Sequence, residues 1–205
     1  METDTLPIND PGALTRAMEV LTSGGLVAFP TDTVYVIGAI AFDEKAVSQI
    51  YEMKARATDR TFPVLIGGFD QLPRVTTGVD RFCEKLARRF WPGPLTVVLP
   101  RGPAIPDTIT LYPTIGVRIP DFTPTRELLR LTGPLAVTSA DLPGQSSPST
   151  VRGVQAQWNG KIPLILDGGV TPGGTPSTIV ECSSGEPLIL REGPISLEQI
   201  LNALA

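Results

Sequence analysis

The chain has 205 residues, 41% of them hydrophobic and 19% charged, a composition that suits one globular domain of moderate size. A net charge of −4 argues against a protein that coats nucleic acid by bulk charge, because such proteins are basic. The complete lack of histidine excludes Ser-His-Asp and Cys-His nucleophilic machinery and imidazole-based zinc sites.

Asp10-Pro11 is expected to open a helix, Asp as its cap and Pro in its first turn. Leu14, Met18 and Leu21 would share its inner face, and Gly24-Gly25 would end it. The apolar run 26–29 reads as a strand. It leads into Pro30–Gly38 (PTDTVYVIG), where Thr31, Asp32, Thr33 and Tyr35 crowd together as either a solvated turn or a contact for an oxygen-rich ligand. Asp43 should cap a second helix with Val47, Ile50 and Met53 inward. Residues 63–67 read as a buried strand. Residues 79–90 read as a helix with Phe82, Leu86 and Phe90 inward, stopped at Trp91-Pro92-Gly93-Pro94.

Strands then become frequent, at 95–99, 115–119, 134–138, 162–166, 177–180 and 187–190, with helices at 124–132, 149–158 and 196–204. The last three strands have no helix between them, so an α/β fold with a mixed rather than purely parallel sheet is expected. No repeat or long linker divides the chain, which points to a single domain over residues 1–205. Cys83 and Cys182 are distant in sequence and form no CxxC, so a disulfide is not expected and a reducing, cytoplasmic setting is. The polar start METDTLPIND does not read as a signal peptide, and no run approaches the ~20 apolar residues of a membrane span.

Several polar groups gather near strand ends. Lys54, Arg56 and Arg60 stand at or beyond a helix C-terminus, where they either answer the helix dipole or hold an anion. Arg118 lies inside an apolar strand and must either pair with a carboxylate or face a cavity that wants a cation. Thr138, Ser139 and Asp141 end another strand, a position where open α/β sheets bind ligands. Arg191 ends a third. Neither a Walker P-loop nor a GxGxxG in a βαβ unit is present. Cations gathered among hydroxyls in an acidic chain suggest one hollow that holds a polyanion.

Seven ordered motifs carry a resemblance to a known family. They are PTDTVY at Pro30–Tyr35, KxR at Lys54–Arg56, WPGPLT at Trp91–Thr96, VRIP at Val117–Pro120, TSA-x-L-x-G at Thr138–Gly144, STIV at Ser177–Val180 and RxG at Arg191–Gly193. Together they resemble the YrdC-like family, the threonylcarbamoyl-AMP synthases, over about residues 10–200. The resemblance implies a single-domain α/β fold, a twisted mixed sheet with flanking helices and a large electropositive cavity. It implies that L-threonine, bicarbonate and ATP become L-threonylcarbamoyl-AMP and pyrophosphate, with Mg²⁺ as cofactor. A downstream tRNA threonylcarbamoyl transferase would use the product; direct tRNA contact stays open.

The same resemblance assigns residues. Lys54 and Arg56 would be catalytic cations that also meet the nucleotide. Thr33, Arg118, Thr138 and Ser177 would hold threonine or its carbamate. Arg60, Thr114, Ser139, Ser147 and Arg191 would lie along the nucleotide. Two positions depart from the family pattern. Asp141 replaces an asparagine, which suggests a carboxylate beside Mg²⁺, and Val36 replaces a glycine, which would narrow the pocket or shift its loop. A competing reading is a nucleotide- or RNA-binding module that kept the cavity and lost catalysis. A carbamoyl-transfer domain acting on carbamoyl-AMP is a third.

Overall fold

Chain order runs β1 (Asp4–Pro7), α1 (Ala13–Thr22), β2 (Val27–Phe29), β3 (Val36–Ile40), α2 (Glu44–Lys54), β4 (Val64–Leu65), a 3-10 turn (Phe69–Arg74), α3 (Arg81–Phe90), β5 (Leu95–Pro100) and β6 (Thr114–Arg118). It continues through α4 (Thr123–Thr132), β7 (Leu135–Ser139), α5 (Val151–Trp158), β8 (Leu164–Asp167), β9 (Thr178–Glu181), β10 (Leu188–Arg191) and α6 (Leu197–Leu204). This is a computed structural model, and it describes residues 2–54, 61–172, 174–182 and 186–205. The strands form one sheet in the order β1-β8-β2-β3-β7-β4-β6-β5-β9-β10. Parallel pairs such as β5 with β9 alternate with antiparallel ones such as β5 with β6, so the expected mixed sheet is what forms.

Side chains alternate across a strand, and that alternation divides the interior into two layers. Ile37 and Ala39 of β3, Leu95, Val97 and Leu99 of β5, and Ile115 and Val117 of β6 face one side, where α2, α3, α5 and α6 cover them with Val47, Leu86, Val154, Trp158 and Ile200. On the opposite side, Val27, Phe29, Leu135, Val137, Leu164 and Leu166 are covered by α1 and α4 through Ala17, Val20, Leu21, Leu128 and Leu129. That second helical layer lies over the β1-to-β7 half, with Leu65 of β4 at its margin. Across β4, β6, β5 and β9 the same face carries Leu65, Thr96, Val98, Thr114, Gly116, Arg118 and Ile179, which line a cavity instead of a helix.

Local details correct several expectations. The helix after Asp10 starts at Ala13 with Gly12 as its cap, at φ 87° and without a side-chain bond. Its buried face is Ala13, Ala17, Val20 and Leu21, with Leu14 and Met18 on its flank, because the small alanines let α1 lie close to the sheet. On α3 the inward residues are Cys83, Leu86 and Ala87, while Phe90 packs from the flank. Asp43 caps α2 as expected, accepting from the backbone of Lys45 and Ala46. Strand β1 was hidden in a polar start. It forms because parallel pairing with β8 supplies backbone partners whatever its side chains are. Strand β3 was hidden by the polar turn before it.

Cys83 and Cys182 form a disulfide, their Cα atoms 5.8 Å apart, which corrects the expectation of unpaired thiols and removes its support for a reducing compartment. The cause is topological: α3 packs on β5, and β9 pairs in parallel with β5, so the sheet closes a sequence separation of 99 residues. No described helix is long and apolar enough to cross a membrane. A cross-link over so long a loop contributes about 2–4 kcal/mol. Denatured, unreduced protein should therefore show no titratable thiol, and reductant should lower the melting temperature. A full complement of free thiols before reduction would contradict the bond.

Candidate active site

The cavity over the uncovered half of the sheet has a volume of about 440 Å³. The chain brings seven of the anticipated residues to its lining: Thr33, Thr114, Arg118, Thr138, Ser139, Ser177 and Arg191. Among the described lining residues the charged side chains are Arg118 and Arg191, and no carboxylate joins them.

Arg118 is held on three sides. Its Nε donates to the carbonyl of Gly93 at 2.9 Å, Nη1 to Thr33 Oγ1 at 3.0 Å and Nη2 to Asp32 Oδ1 at 2.5 Å. At 4% exposure, burial pushes its pKa down, and the Asp32 charge opposes that fall. The two sequence alternatives for Arg118 are therefore both true: it pairs with a carboxylate and it faces a cavity. A guanidinium has five N–H donors, so these bonds leave two for a ligand.

The turn before β3 is built to present Thr33. Thr31 Oγ1 donates to the carbonyl of Val34 at 2.7 Å and accepts from the backbone N–H of Thr33 at 3.1 Å. The two hydroxyls lie 2.9 Å apart. Either hydroxyl can donate to the other, and Thr33 Oγ1 accepts from Arg118. That leaves Thr33 one position, donor or acceptor, for a ligand. Deeper in this turn, Tyr35 donates to the carbonyl of Gly169 at 2.7 Å, and burial pushes its pKa up to about 12, so it serves as a neutral tie.

A second polar group stands on β5, β9 and β10. Thr96 Oγ1 and Ser177 Oγ lie 2.8 Å apart. Arg191 donates to the Ser177 carbonyl from Nε at 3.0 Å and from Nη2 at 2.8 Å, and from Nη2 to Ser177 Oγ at 3.0 Å. Gly193 permits this approach, since a Cβ there would stand 2.3 Å from the backbone nitrogen of Thr178. At the cavity floor, a Cβ on Gly116 would press on Thr96 at 3.0 Å.

Lys54 ends α2 at 3% exposure. It donates to the carbonyl of Ser139 at 2.7 Å and to Asp141 Oδ2 at 3.1 Å, while Ser147 Oγ donates to Asp141 Oδ1 at 2.9 Å. The ammonium thus sits one carbonyl behind a lining residue, beside the cavity rather than in its lining. Burial raises the Asp141 pKa, but hydrogen bonds from Ser139 and Ser147 and the Lys54 charge outweigh it and hold the carboxyl below its ordinary value. Arg56 and Arg60 lie outside the described residues.

Val36, the expected source of a narrowed pocket, begins β3 opposite Ser139 in an unbroken ladder and lines the cavity. A protein-held Mg²⁺ does not fit the described donors. Asp141 already answers the Lys54 ammonium and Ser147, Asp32 is committed to Arg118, and the described cluster of metal-ligating residue types is Asp80 with the disulfide-bonded Cys83 and Cys182. Sequence reasoning missed Thr96 and Gly116 as lining residues and Asp32 as the partner of Arg118. Period-two spacing from Arg118 was the available signal for Gly116.

Comparison with known proteins adds to this geometry. The family model described as "Telomere recombination", covering Sua5, YciO and YrdC, matches residues 19–193. A threonylcarbamoyl-AMP synthase of Pyrococcus abyssi is 41% identical over 88% of this chain and 54% of its own length. A putative threonylcarbamoyl-AMP synthase of Mycobacterium tuberculosis is 34% identical over 98% of this chain and 95% of its own. The solved structure of P. abyssi Sua5 complexed with L-threonine superposes with a TM-score of 0.94 at 37% identity, covering 98% of this chain and 61% of that one. The chain thus spans little more than half the length of the archaeal relative.

The linkage of Asp141 to Lys54 sets an acid limit on stability. A carboxyl whose folded pKa is depressed stabilises fully above its unfolded value, near 4, and loses that contribution as pH falls through the folded one. Asp141→Asn should remove this acid limb from a denaturation profile. At neutral pH it should cost about 2–3 kcal/mol, somewhat less than a fully buried pair, because the carboxylate keeps 20% exposure. An unchanged acid limb would show that the pair does not form in solution.

Proposed function

The chain belongs to the Sua5–YciO–YrdC family, and on that footing we propose that it condenses L-threonine, bicarbonate and ATP into L-threonylcarbamoyl-AMP and pyrophosphate, a nucleotidyl transfer. The observation that carries the reading is the fixed Arg118 beside Thr33 in a cavity rich in hydroxyls and without a carboxylate among its described lining residues. The two remaining guanidinium donors suit a planar carboxylate. The Thr33 hydroxyl beside it suits a polar group of the same amino acid. That a relative has been solved with L-threonine bound supports the assignment.

The chemistry asks for alignment and charge neutralisation more than for a base. Threonine's amine and bicarbonate give a carbamate with loss of water. A carbamate oxygen then attacks the α-phosphorus of ATP, forming one O–P bond as the bond to the β-phosphate bridging oxygen breaks and pyrophosphate leaves. The nucleophile is already anionic, so a chain without histidine is suited to the step. Electrostatic stabilisation and positioning supply the rate. Thr138 and Ser177 are assigned to the carbamate junction. Thr114, Ser139, Ser147 and Arg191 are assigned to the nucleotide, Ser147 acting through Asp141. Lys54, Arg56 and Arg60 remain our candidates for cations near the phosphates, by family resemblance. Mg²⁺ enters this reading as a counter-ion of the nucleotide's phosphates. The product passes to a downstream tRNA threonylcarbamoyl transferase.

Pyrophosphate release tests the reading when each co-substrate is omitted in turn. Release should require ATP, threonine and bicarbonate together; release without threonine would reject it. Arg118→Lys keeps the charge but loses the fork, and should lower kcat/KM for threonine by about 100-fold while changing the KM for ATP little.

A further inference from the structure

Exposed apolar surface is concentrated at one edge of the sheet. Strand β10 is last in the strand order and pairs with β9; among the described residues no strand pairs with its outer side. Its register slips between Ile189 and Arg191, which makes Leu190 the extra residue of a β-bulge. Ile189 packs into the helix-side core. By alternation Leu188 and Leu190 face the other way, and Leu190 lines the cavity. On the helix side of the same edge lies α6. The turn before it is tied to β9, since Thr178 Oγ1 donates to the carbonyl of Ile195 at 2.8 Å. Ile200 of α6 is buried in that layer, while Leu197 and Leu201 are exposed. Leu188, Leu190, Leu197 and Leu201 are four of the nine exposed large hydrophobic residues among those described, so it is this edge that is left apolar.

We propose that the edge is the dyad of a homodimer, in which β10 pairs antiparallel with β10 of a second copy. An open ladder flanked by leucines is an association site. Two features select a second copy as the occupant. First, the leucines stand on both sides of the ladder. A two-fold axis perpendicular to the sheet brings Leu188 and Leu190 to their mates on one face and α6 to α6 on the other, so one isologous contact buries all four. Second, the two ends of α6 differ in charge. Glu198 lies in its first turn, and at its last turn Lys85 of α3 donates to the carbonyl of Leu204 at 3.0 Å. An antiparallel pair of α6 helices sets the acidic end of each toward the basic end of the other and opposes their dipoles favourably. The two cavities then open on the same face of a continuous sheet, with Leu190 and Arg191, lining residues of each, beside the dyad. Nothing in this pairing depends on the reaction proposed above.

Sedimentation velocity of the full chain across about 1–200 μM tests the dimer. Wild type should shift from one copy to two with concentration, and amide hydrogen exchange at residues 188–191 should slow as the dimer fills. Leu188→Glu and Leu201→Glu, one on each side of the ladder, should each raise the dimer dissociation constant about 100-fold, because the dyad sets each new charge near its symmetry mate. Leu131→Glu, at an exposed leucine of α4, should leave the constant unchanged. All three positions are exposed, so the substitutions should not unfold the protein, and the melting temperature checks this. A monomer at every concentration, with the leucines left to some other partner, would overturn the proposal. So would a dimer that tolerates both edge substitutions, or one that leaves exchange in β10 unchanged.

Discussion

A sheet of this width has two faces to bury, and the described helices cover one of them fully and the other by half. Everything functional follows from that shortfall. Where α1 and α4 lie over β1 to β7, the inward positions include Val27, Phe29 and Leu166. Where no described helix lies, the same register positions become Thr96, Thr114 and Arg118. The change along one sheet face from aliphatic to hydroxyl and guanidinium marks the edge of the core and the beginning of the site. The opposite face stays apolar throughout, so the scaffold under the cavity is as rigid as the core it belongs to.

Arg118 shows how such a scaffold tolerates a charge. A buried guanidinium without partners is costly, and this one is tied to three different segments. Gly93 comes from the loop after α3, Thr33 and Asp32 from the turn between β2 and β3, and Asp32 is itself steadied by the backbone N–H of Asp121. The side chain is fixed before any ligand arrives, which reduces the ordering cost of binding. The Lys54–Asp141–Ser147 group is fixed in a similar way beside the cavity, behind Ser139. Asp141 serves there as the counter-ion of a buried ammonium.

The strands were legible because their apolar runs are bounded by Pro, Gly and Asp, and the helices because of their apolar spacing and, for α2, the Asp43 cap. What escaped reading was set by tertiary pairing. β1 is polar and exists through its ladder with β8. The bulge at Leu190 has no local signature. The disulfide joins residues that only the parallel pairing of β5 and β9 brings together. The convergence of Thr33, Arg118, Ser139, Ser177 and Arg191 on one hollow was accessible from the seven motifs in order. Their hydrogen-bond partners were not, because donor count depends on three-dimensional neighbours such as Asp32 and Gly93.

The account stands on one central claim, that the uncovered half of the sheet is where the amino acid and the nucleotide meet. A crystal structure grown with L-threonine and a non-hydrolysable ATP analogue tests it most directly. The account predicts the threonine carboxylate on the two remaining N–H groups of Arg118, its amine directed toward the α-phosphate, and the nucleotide extending toward Arg191. Density for either ligand on the helix-covered face, or threonine and nucleotide bound in separate pockets, would contradict it.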